Sequence, residues 1–272
     1  MSKPPRIPKG LGVFRCPSYL LDSVRKLMVR DGDLSLLSDY IVVGLGGGYE
    51  VFPQLLNEVN DVSGYSRTIK TFTGYFRDVK VSAIAMGGGL TDAEWVVALA
   101  HMRRAKALVG VGWCGALQEG IRIGDAVIPI ATLRDEDTTA HYVDPRFPAV
   151  ADPRLVTMAV EELKPRTAEL GSRLWLGVTV STSAMLAETP ERVEVWRRCR
   201  ALCVDVETST IYTLSYLAGI PSLTLLAVSD NVVLGKDCGF RGELSKRVND
   251  VFKELVVGAF EVIARFSRAG IT

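Results

Sequence analysis

Two acidic residues follow apolar runs within one short stretch of the chain, residues 202–231. The first run ends at Glu207, and the second is followed closely by Asp230. Apolar residues with helical spacing lie between the runs, and Gly219 marks the end of that predicted helix. The pattern predicts a strand–helix–strand unit with a carboxylate beyond the carboxyl end of each strand. In open α/β sheets, that edge is where ligands bind.

Two glycine-rich turns follow predicted strands earlier in the chain. An apolar run at residues 40–45 leads into the sequence GLGGGYE, which contains Gly46 and ends at Glu50. A second run, residues 79–86, leads into another glycine cluster and then Thr91, a candidate helix N-cap. A strand, a glycine turn and a helix in succession let a ligand approach the backbone. GLGGGYE lacks the third glycine of a dinucleotide fingerprint. The hypothesis of a dinucleotide-dependent oxidoreductase therefore has only this loop to support it.

Charge and composition narrow the classes of ligand and location. The 272 residues carry 32 basic and 31 acidic side chains, a balance that favours a small-molecule ligand over nucleic acid or an anionic membrane. The five cysteines lack metal-like spacing, so we expect no metal site and a reduced protein. No apolar run reaches the ~18 to 20 residues that span a bilayer, and the amino terminus does not read as a signal peptide. We therefore expect a soluble, cytoplasmic protein.

Predicted strands and helices alternate along the chain, which indicates a single α/β domain. Strands are predicted at residues 40–45, 68–76, 79–86, 107–111, 126–130, 175–180, 202–206 and 222–228. Helices are predicted at residues 18–29, 49–59, 91–104, from 153 onward, 190–200, 208–219 and 243–266. Residues 134–152 are predicted to form a polar loop.

Three ordered segments resemble a known family: VGWCGALQEGIRIGDAVIP, HYVDPRFPAVADP and VDVETSTIYTLSYLAGIPSLTLLAVSDN. Together they resemble the purine nucleoside phosphorylase and uridine phosphorylase superfamily, from about residue 40 to the carboxyl terminus. The resemblance implies a nucleoside-phosphorylase-like α/β fold, with a mixed, partly barrel-like central sheet flanked by helices, in residues 40–272. Residues 1–39 would form an amino-terminal arm and helix. Such proteins assemble as homo-oligomers, either hexamers or dimers.

The resemblance also implies a reaction, cleavage of the bond between a base and C1′ of ribose. Family members place a Met-Glu pair where this chain has Val206 and Glu207, and the carboxylate accepts hydrogen bonds from the ribose hydroxyls. Asp230 matches the aspartate with which purine-cleaving members protonate N7 of the base. Two other readings stay open: Glu207 as an acid stabilised by its helix dipole, and Asp230 as a turn or cap residue.

The resemblance leaves the base unassigned. Uridine phosphorylases read uracil with a Gln-x-Arg sequence, of which this chain keeps only Arg192, within the charged segment PERVEVWRR. Arg192 on a solvated helix face is the alternative. Met185 stands near the position where relatives stack an aromatic side chain on the nucleoside. Asp230 favours purines, whereas Arg192 leaves a pyrimidine open.

The acceptor side departs most from the family pattern for phosphate binding. Gly46 keeps the expected glycine, but Glu50 stands where an arginine is expected. Gly110 replaces a second arginine, and Trp113 replaces a hydroxyl residue. Arg67 matches the arginine that reaches into a neighbouring subunit's site. A carboxylate in place of an arginine disfavours a phosphate dianion.

Hydrolytic members of the superfamily, the methylthioadenosine/adenosylhomocysteine nucleosidases, carry a catalytic glutamate at the position of Glu50. Glu50 could thus activate water, or it could be only a first-turn helix acid. Thr91 and Asp92 could add polar contacts to the acceptor pocket, and Arg241 or Arg247 could approach the base or phosphate.

The sequence thus predicts a nucleoside as the small-molecule partner and cleavage of its N-glycosidic bond. Phosphorolysis is the family default, with phosphate as a co-substrate and no other cofactor. Hydrolysis through Glu50 and a non-catalytic nucleoside-binding role are the alternatives.

Overall fold

The computed structural model describes residues 13–48, 50–239 and 242–270. The predicted arm at residues 1–12 and the side chain of Arg241 lie outside these ranges. The described helices are α1 Ser18–Met28, α2 Val51–Leu55, α3 Leu90–Arg103, α4 Pro153–Glu169, α5 Pro190–Arg198, α6 Thr208–Ala218 and α7 Glu243–Arg268. The described strands are β1 Tyr40–Leu45, β2 Asn57–Asp61, β3 Lys70–Phe76, β4 Val79–Met86, β5 Ala107–Ala116, β6 Ala126–Asp135, β7 Ala149–Val150, β8 Leu174–Thr182, β9 Cys203–Asp205, β10 Ser222–Asn231 and β11 Lys236–Asp237.

The strands form one mixed sheet in the order β11-β10-β6-β8-β9-β5-β1-β4-β3-β2, with β7 paired to β6. Strand β10 also pairs with β5, so β10, β6, β8, β9 and β5 close into a ring. Strands β4, β1, β5 and β10 run parallel, whereas β9 runs antiparallel to β5. The prediction of an α/β fold with a mixed, partly barrel-like sheet is confirmed.

The parallel strands lie in the interior of the molecule, which explains their continuous apolar runs. All residues of β5 except Trp113 are buried, as are all residues of β1 except Tyr40. Strands covered on both faces need apolar side chains in both directions, so they lose the alternation of a half-exposed strand. A separate apolar cluster, which includes Cys114, Cys203 and Leu226, comes from strands of the ring.

Most predicted elements are present, and β1 and β4 have the predicted limits. The prediction of one helix over residues 49–59 is wrong. Only Val51–Leu55 is helical, and Asn57–Asp61 is an edge strand antiparallel to β3. All five residues of β2 are exposed, so a helix there would have no apolar face to bury, and pairing with β3 satisfies their backbone instead.

Two further local predictions need correction. Thr91 lies inside α3, and Gly89 occupies the position before the helix. The predicted polar loop at residues 134–152 contains a 3-10 turn, Thr138–His141, and the short strand β7. Hydroxyl side chains favour caps, but the loop before α3 needs left-handed backbone, since φ is 107° at Gly89.

Candidate active site

A cleft of about 320 Å³ opens where β1 and β4 end in their glycine turns, beside β5, β9 and β10. It brings together residues that are far apart in sequence. The predicted site residues that line it are Gly46, Met185, Trp113, Val206, Glu207 and Asp230.

Glu207 faces the cleft because a neighbouring acid caps its helix. Glu207 immediately precedes α6, yet its side chain makes no capping hydrogen bond. Instead, Asp205 accepts a hydrogen bond from the backbone N–H of Thr208 at 2.9 Å. The Oε1 atom of Glu207 accepts a hydrogen bond from the backbone N–H of Gly89 at 2.5 Å. Asp205 therefore caps α6, whereas Glu207 spans the gap between the β9–α6 turn and the second glycine turn.

The Glu207 carboxyl lies in an environment that disfavours its charge. Burial and the nearby Asp205 raise the pKa of Glu207 to about 7, against the opposing effect of the Gly89 N–H. Burial also raises the pKa of Asp205, although Ser181 donates a hydrogen bond to its Oδ1 at 2.6 Å. Near neutral pH, Glu207 therefore exchanges between its protonated and charged forms.

The second glycine turn is shaped to accept this carboxylate. Gly88 has a φ of 99°, and a Cβ added there would lie 3.3 Å from Oε1 of Glu207. Asp92 faces this turn: its Oδ2 lies 3.8 Å from a Cβ built at Gly87, and the backbone of Gly87 and Gly88 favours its charged form. Asp92 thus braces the turn from α3, and it is not among the residues that line the cleft.

Asp230 enters the cleft through a β-bulge and not from beyond a strand end. Strand β10 continues to Asn231, and its register against β5 shifts between Val228 and Asp230. A bulge re-aims side chains at such positions. Ser229 donates a hydrogen bond from Oγ to Oδ1 of Asp230 at 2.7 Å. The prediction that Asp230 follows the strand is wrong, and it is not a turn residue either.

Burial raises the pKa of Asp230, and the charge of Asp237 on the paired strand β11 adds to this effect. The hydrogen bond from Ser229 acts in the opposite direction. The net effect favours the protonated carboxyl, which is the form that can donate a proton.

The absence of a side chain at Gly115 of β5 leaves space for the carboxyl of Asp230. A Cβ at Gly115 would lie 2.7 Å from Oδ2 of Asp230 and 2.7 Å from Val232. We expect Gly115→Ala to displace the carboxyl and to lower kcat/KM for the cleavage that the resemblance implies by about 10²-fold, the scale of the effect of a misplaced catalytic group. Steady-state kinetics would measure this. Gly120→Ala is the matched control, because a Cβ there meets no atom within 4 Å. Equal losses in both variants would contradict the steric argument.

Of the two residues predicted to contact the base, Met185 and Arg192, only one lines the cleft. Met185 lines the cleft. Arg192 does not, because its Nε donates to Asp135 at 3.1 Å and its guanidinium lies over the ring of Trp196. Arg192 is therefore on neither the cleft wall nor a fully solvated helix face.

The sequence reasoning missed Glu188. It follows the 3-10 turn Met185–Ala187 and lines the same cleft as Asp230. Burial and the charge of Asp230 raise the pKa of Glu188 to about 7, whereas Arg192 lowers it. The only sign of Glu188 in the sequence was its position directly before Thr189 and Pro190, where α5 begins.

The acceptor side of the cleft is aromatic. The indole of Trp113 stacks on Phe252 of α7, with ring centroids 4.2 Å apart and planes 9° from parallel. A Cβ at Gly46 would lie 3.8 Å from this indole. Gly110 does not line the cleft, since it packs in the sheet against Leu45. The stack therefore stands next to the first glycine turn, where the resemblance implies a phosphate.

The other acceptor candidates lie outside the cleft lining. Glu50, Arg67 and Thr91 are exposed. Arg247 donates a hydrogen bond to the carbonyl of Gly171 at 2.9 Å, away from the lining residues. Within residues 13–48, 50–239 and 242–270, no lysine or arginine lines the cleft.

Metal-binding clusters and membrane-spanning helices are both absent from residues 13–48, 50–239 and 242–270. Among these residues, no three His, Cys, Asp or Glu side chains are grouped so that they could hold a metal ion. None of the helices described above combines the length and apolar character needed to cross a bilayer.

Known proteins share both the sequence pattern and the fold. The purine nucleoside phosphorylase DeoD-type of Caldanaerobacter subterraneus subsp. tengcongensis is 29% identical over 184 residues, 66% of this chain and 78% of the relative. The uridine phosphorylase of Thermococcus kodakarensis is 30% identical over 193 residues, 66% of this chain and 68% of the relative. The guanosine phosphorylase of Halorubrum lacusprofundi is 24% identical over 213 residues, 78% of this chain and 86% of the relative.

Solved structures agree on the fold. A uridine phosphorylase from Vibrio fischeri superposes with a TM-score of 0.77 at 20% identity, over 90% of this chain and 99% of that one. A purine nucleoside phosphorylase from Toxoplasma gondii has a TM-score of 0.73 at 17% identity, over 85% of this chain and 94% of that one. The family model described as the phosphorylase superfamily matches residues 40–263. The chain therefore belongs to the phosphorylase superfamily and is an enzyme of the nucleoside phosphorylase family.

Proposed function

We propose that this enzyme cleaves the N-glycosidic bond of purine nucleosides, with Glu207 binding ribose and Asp230 protonating the departing base. The observation that carries the proposal is the placement of these two carboxyls, from different segments of the chain, on the wall of one cleft. Burial raises the pKa of each. Pairs of acids with perturbed pKa values in a cleft are typical of catalytic sites.

The chemistry divides between the two carboxyls. Charged Glu207 accepts hydrogen bonds from the ribose 2′ and 3′ hydroxyls, and its negative charge stabilises the positive charge that develops on the sugar ring. As the bond from C1′ to the base breaks, its electron pair moves onto the base. Protonated Asp230 then gives its proton to N7, so that the base leaves as a neutral molecule.

Phosphate is the first candidate acceptor, because the similar proteins are named as nucleoside phosphorylases. Because no cationic side chain lines the cleft in the described part of the chain, phosphate needs a cation from elsewhere. In this proposal, Arg67 of a second copy of the chain supplies it, and the active form is a homo-oligomer. Arg67 is exposed in the loop before β3, as this role requires.

Water is the second candidate acceptor, and the stack of Trp113 on Phe252 favours it. An aromatic pair beside Gly46 offers no positive charge to balance a phosphate dianion. A neutral water molecule needs no such charge. Glu50 would then act as the base that activates water. Its exposed position outside the lining requires the side chain to turn toward Gly46.

The deciding experiment measures cleavage of purine nucleosides with and without orthophosphate and identifies the sugar product. We expect ribose 1-phosphate, formed only when phosphate is present. Arg67→Ala should then raise the KM for phosphate, while Arg173→Ala, another exposed arginine, should not. Free ribose formed at the same rate without phosphate, and lost in Glu50→Gln, would establish hydrolysis instead. Nucleoside binding without any cleavage would establish the non-catalytic role.

A further inference from the structure

Glu188 and Asp230 reach the cleft from different parts of the fold. Glu188 comes from the segment between β8 and α5, and Asp230 comes from the bulge in β10. Both line the same cleft, and the charge of Asp230 raises the pKa of Glu188. The two carboxyls therefore share the wall of one cleft, on which Asp230 faces the base in the proposed function.

The guanidinium of Arg192 forms its ion pair with Asp135 and not with Glu188. Arg192 lowers the pKa of Glu188, but the Nε of Arg192 donates to Asp135 at 3.1 Å. The remaining charged side chains of the cleft wall, Asp205 and Glu207, are also acids. Within the described residues, the base therefore meets acidic groups and no cationic side chain on the cleft wall.

A second carboxyl beside the proton donor constrains the base that can bind. In a purine bound with N7 at Asp230, the substituent on C6 is the neighbouring polar group. A 6-amino group offers N–H donors to a carboxylate, which only accepts. A 6-keto group presents an oxygen, which a carboxylate repels and leaves without a donor.

We infer that Glu188 selects the base, by accepting a hydrogen bond from the 6-amino group of a purine whose N7 faces Asp230. This assignment rests on the proposed function. It makes 6-aminopurine nucleosides the preferred substrates over 6-ketopurine nucleosides.

The test compares kcat/KM for adenosine, inosine and guanosine in the wild-type enzyme and in Glu188→Gln. A glutamine amide can donate to a keto oxygen, so the adenosine-to-inosine ratio should fall by about 10- to 100-fold, the size of one charge-assisted hydrogen bond. Guanosine should behave as inosine does, since both carry a 6-keto group. Glu191→Gln, an exposed acid in the first turn of α5, is the matched control and should keep the wild-type ratio. An unchanged ratio in Glu188→Gln, or a loss confined to guanosine, would overturn the assignment.

The pH dependence of the ratio separates Glu188 from the other acids. Glu207 contacts ribose and Asp230 contacts N7 in both substrates, so their titrations cancel in the adenosine-to-inosine ratio. Because the pKa of Glu188 is about 7, the ratio should rise as pH increases from about 6 to about 8. It should be flat in Glu188→Gln. A wild-type ratio that does not change over this range would contradict the inference.

Binding of free bases keeps this inference separate from the proposed function. Calorimetry should show tighter binding of adenine than of hypoxanthine by the wild-type protein, and Glu188→Gln should remove the difference. If no nucleoside is cleaved but this preference is found, the proposed function fails and the assignment of Glu188 stands. Equal binding of both bases by the wild-type protein would refute it. Circular dichroism spectra of Glu188→Gln and Glu188→Ala, compared with that of the wild-type protein, check that a loss of binding does not come from misfolding.

Discussion

Glu207→Gln is expected to lower kcat/KM for purine nucleosides by roughly 10²- to 10³-fold, the effect of removing one group that stabilises charge in a transition state. The amide has nearly the same shape, so it can still accept the Gly89 N–H at the position seen for Oε1. It loses the negative charge that faces the sugar, and its NH₂ group cannot accept from a ribose hydroxyl. Steady-state kinetics with adenosine and inosine should show the same loss for both substrates.

The pH profile distinguishes this role from a structural one. The carboxylate form of Glu207 is the form that accepts from both hydroxyls, and its pKa is about 7. In the wild-type enzyme, kcat/KM should therefore rise as pH increases through about 7, because the charged fraction increases. Measured in a Glu188→Gln background, so that Glu188 does not titrate, Glu207→Gln should lack this rise, whereas Glu169→Gln, an exposed acid at the end of α4, should keep it. Near-normal turnover in Glu207→Gln would refute the ribose role.

Asp230→Asn is expected to lower cleavage of adenosine and inosine by about 10²- to 10⁴-fold, the range for loss of a general acid. An amide can hydrogen-bond N7 but cannot transfer a proton to it, so the base must leave with a negative charge. The substitution should affect kcat more than KM, because the proton is transferred only as the bond breaks.

A substrate that needs no proton provides the control for Asp230. In 7-methylguanosine, N7 already carries a methyl group and the ring a positive charge, so the base leaves as a neutral molecule without protonation. Asp230→Asn should therefore cleave 7-methylguanosine with a much smaller loss than it shows for inosine. Equal losses for both nucleosides would mean that Asp230 acts by shaping the cleft and not by giving up a proton.

The local part of the fold followed well from the sequence. Strands β1 and β4 end where predicted because buried parallel strands read as unbroken apolar runs that stop at glycine. Helix α6 ends before Gly219, whose φ of 72° is the left-handed conformation that glycine adopts readily. The failed helix at residues 49–59 shows the limit. Its exposed second half has no apolar face for a helix to bury, and pairing with β3 satisfies its backbone instead.

The sequence by itself determined the fold class, the family and the two acids that define the cleft, because these depend on local apolar runs and on ordered motifs. The tertiary structure alone decided how the acids meet. Strand β9 runs antiparallel to β5 and β10 runs parallel to it, so the closed ring and one bulge bring Glu207 and Asp230 to the same cleft.

The remaining site features also depend on long-range packing. Asp205 took the capping role that the pattern would equally have allowed for Glu207. Trp113 found its partner, Phe252, on the last helix, and Glu188 came beside Asp230 from another segment. No pattern within a short window of sequence specifies such contacts, since they arise from the way separate strands and helices pack together.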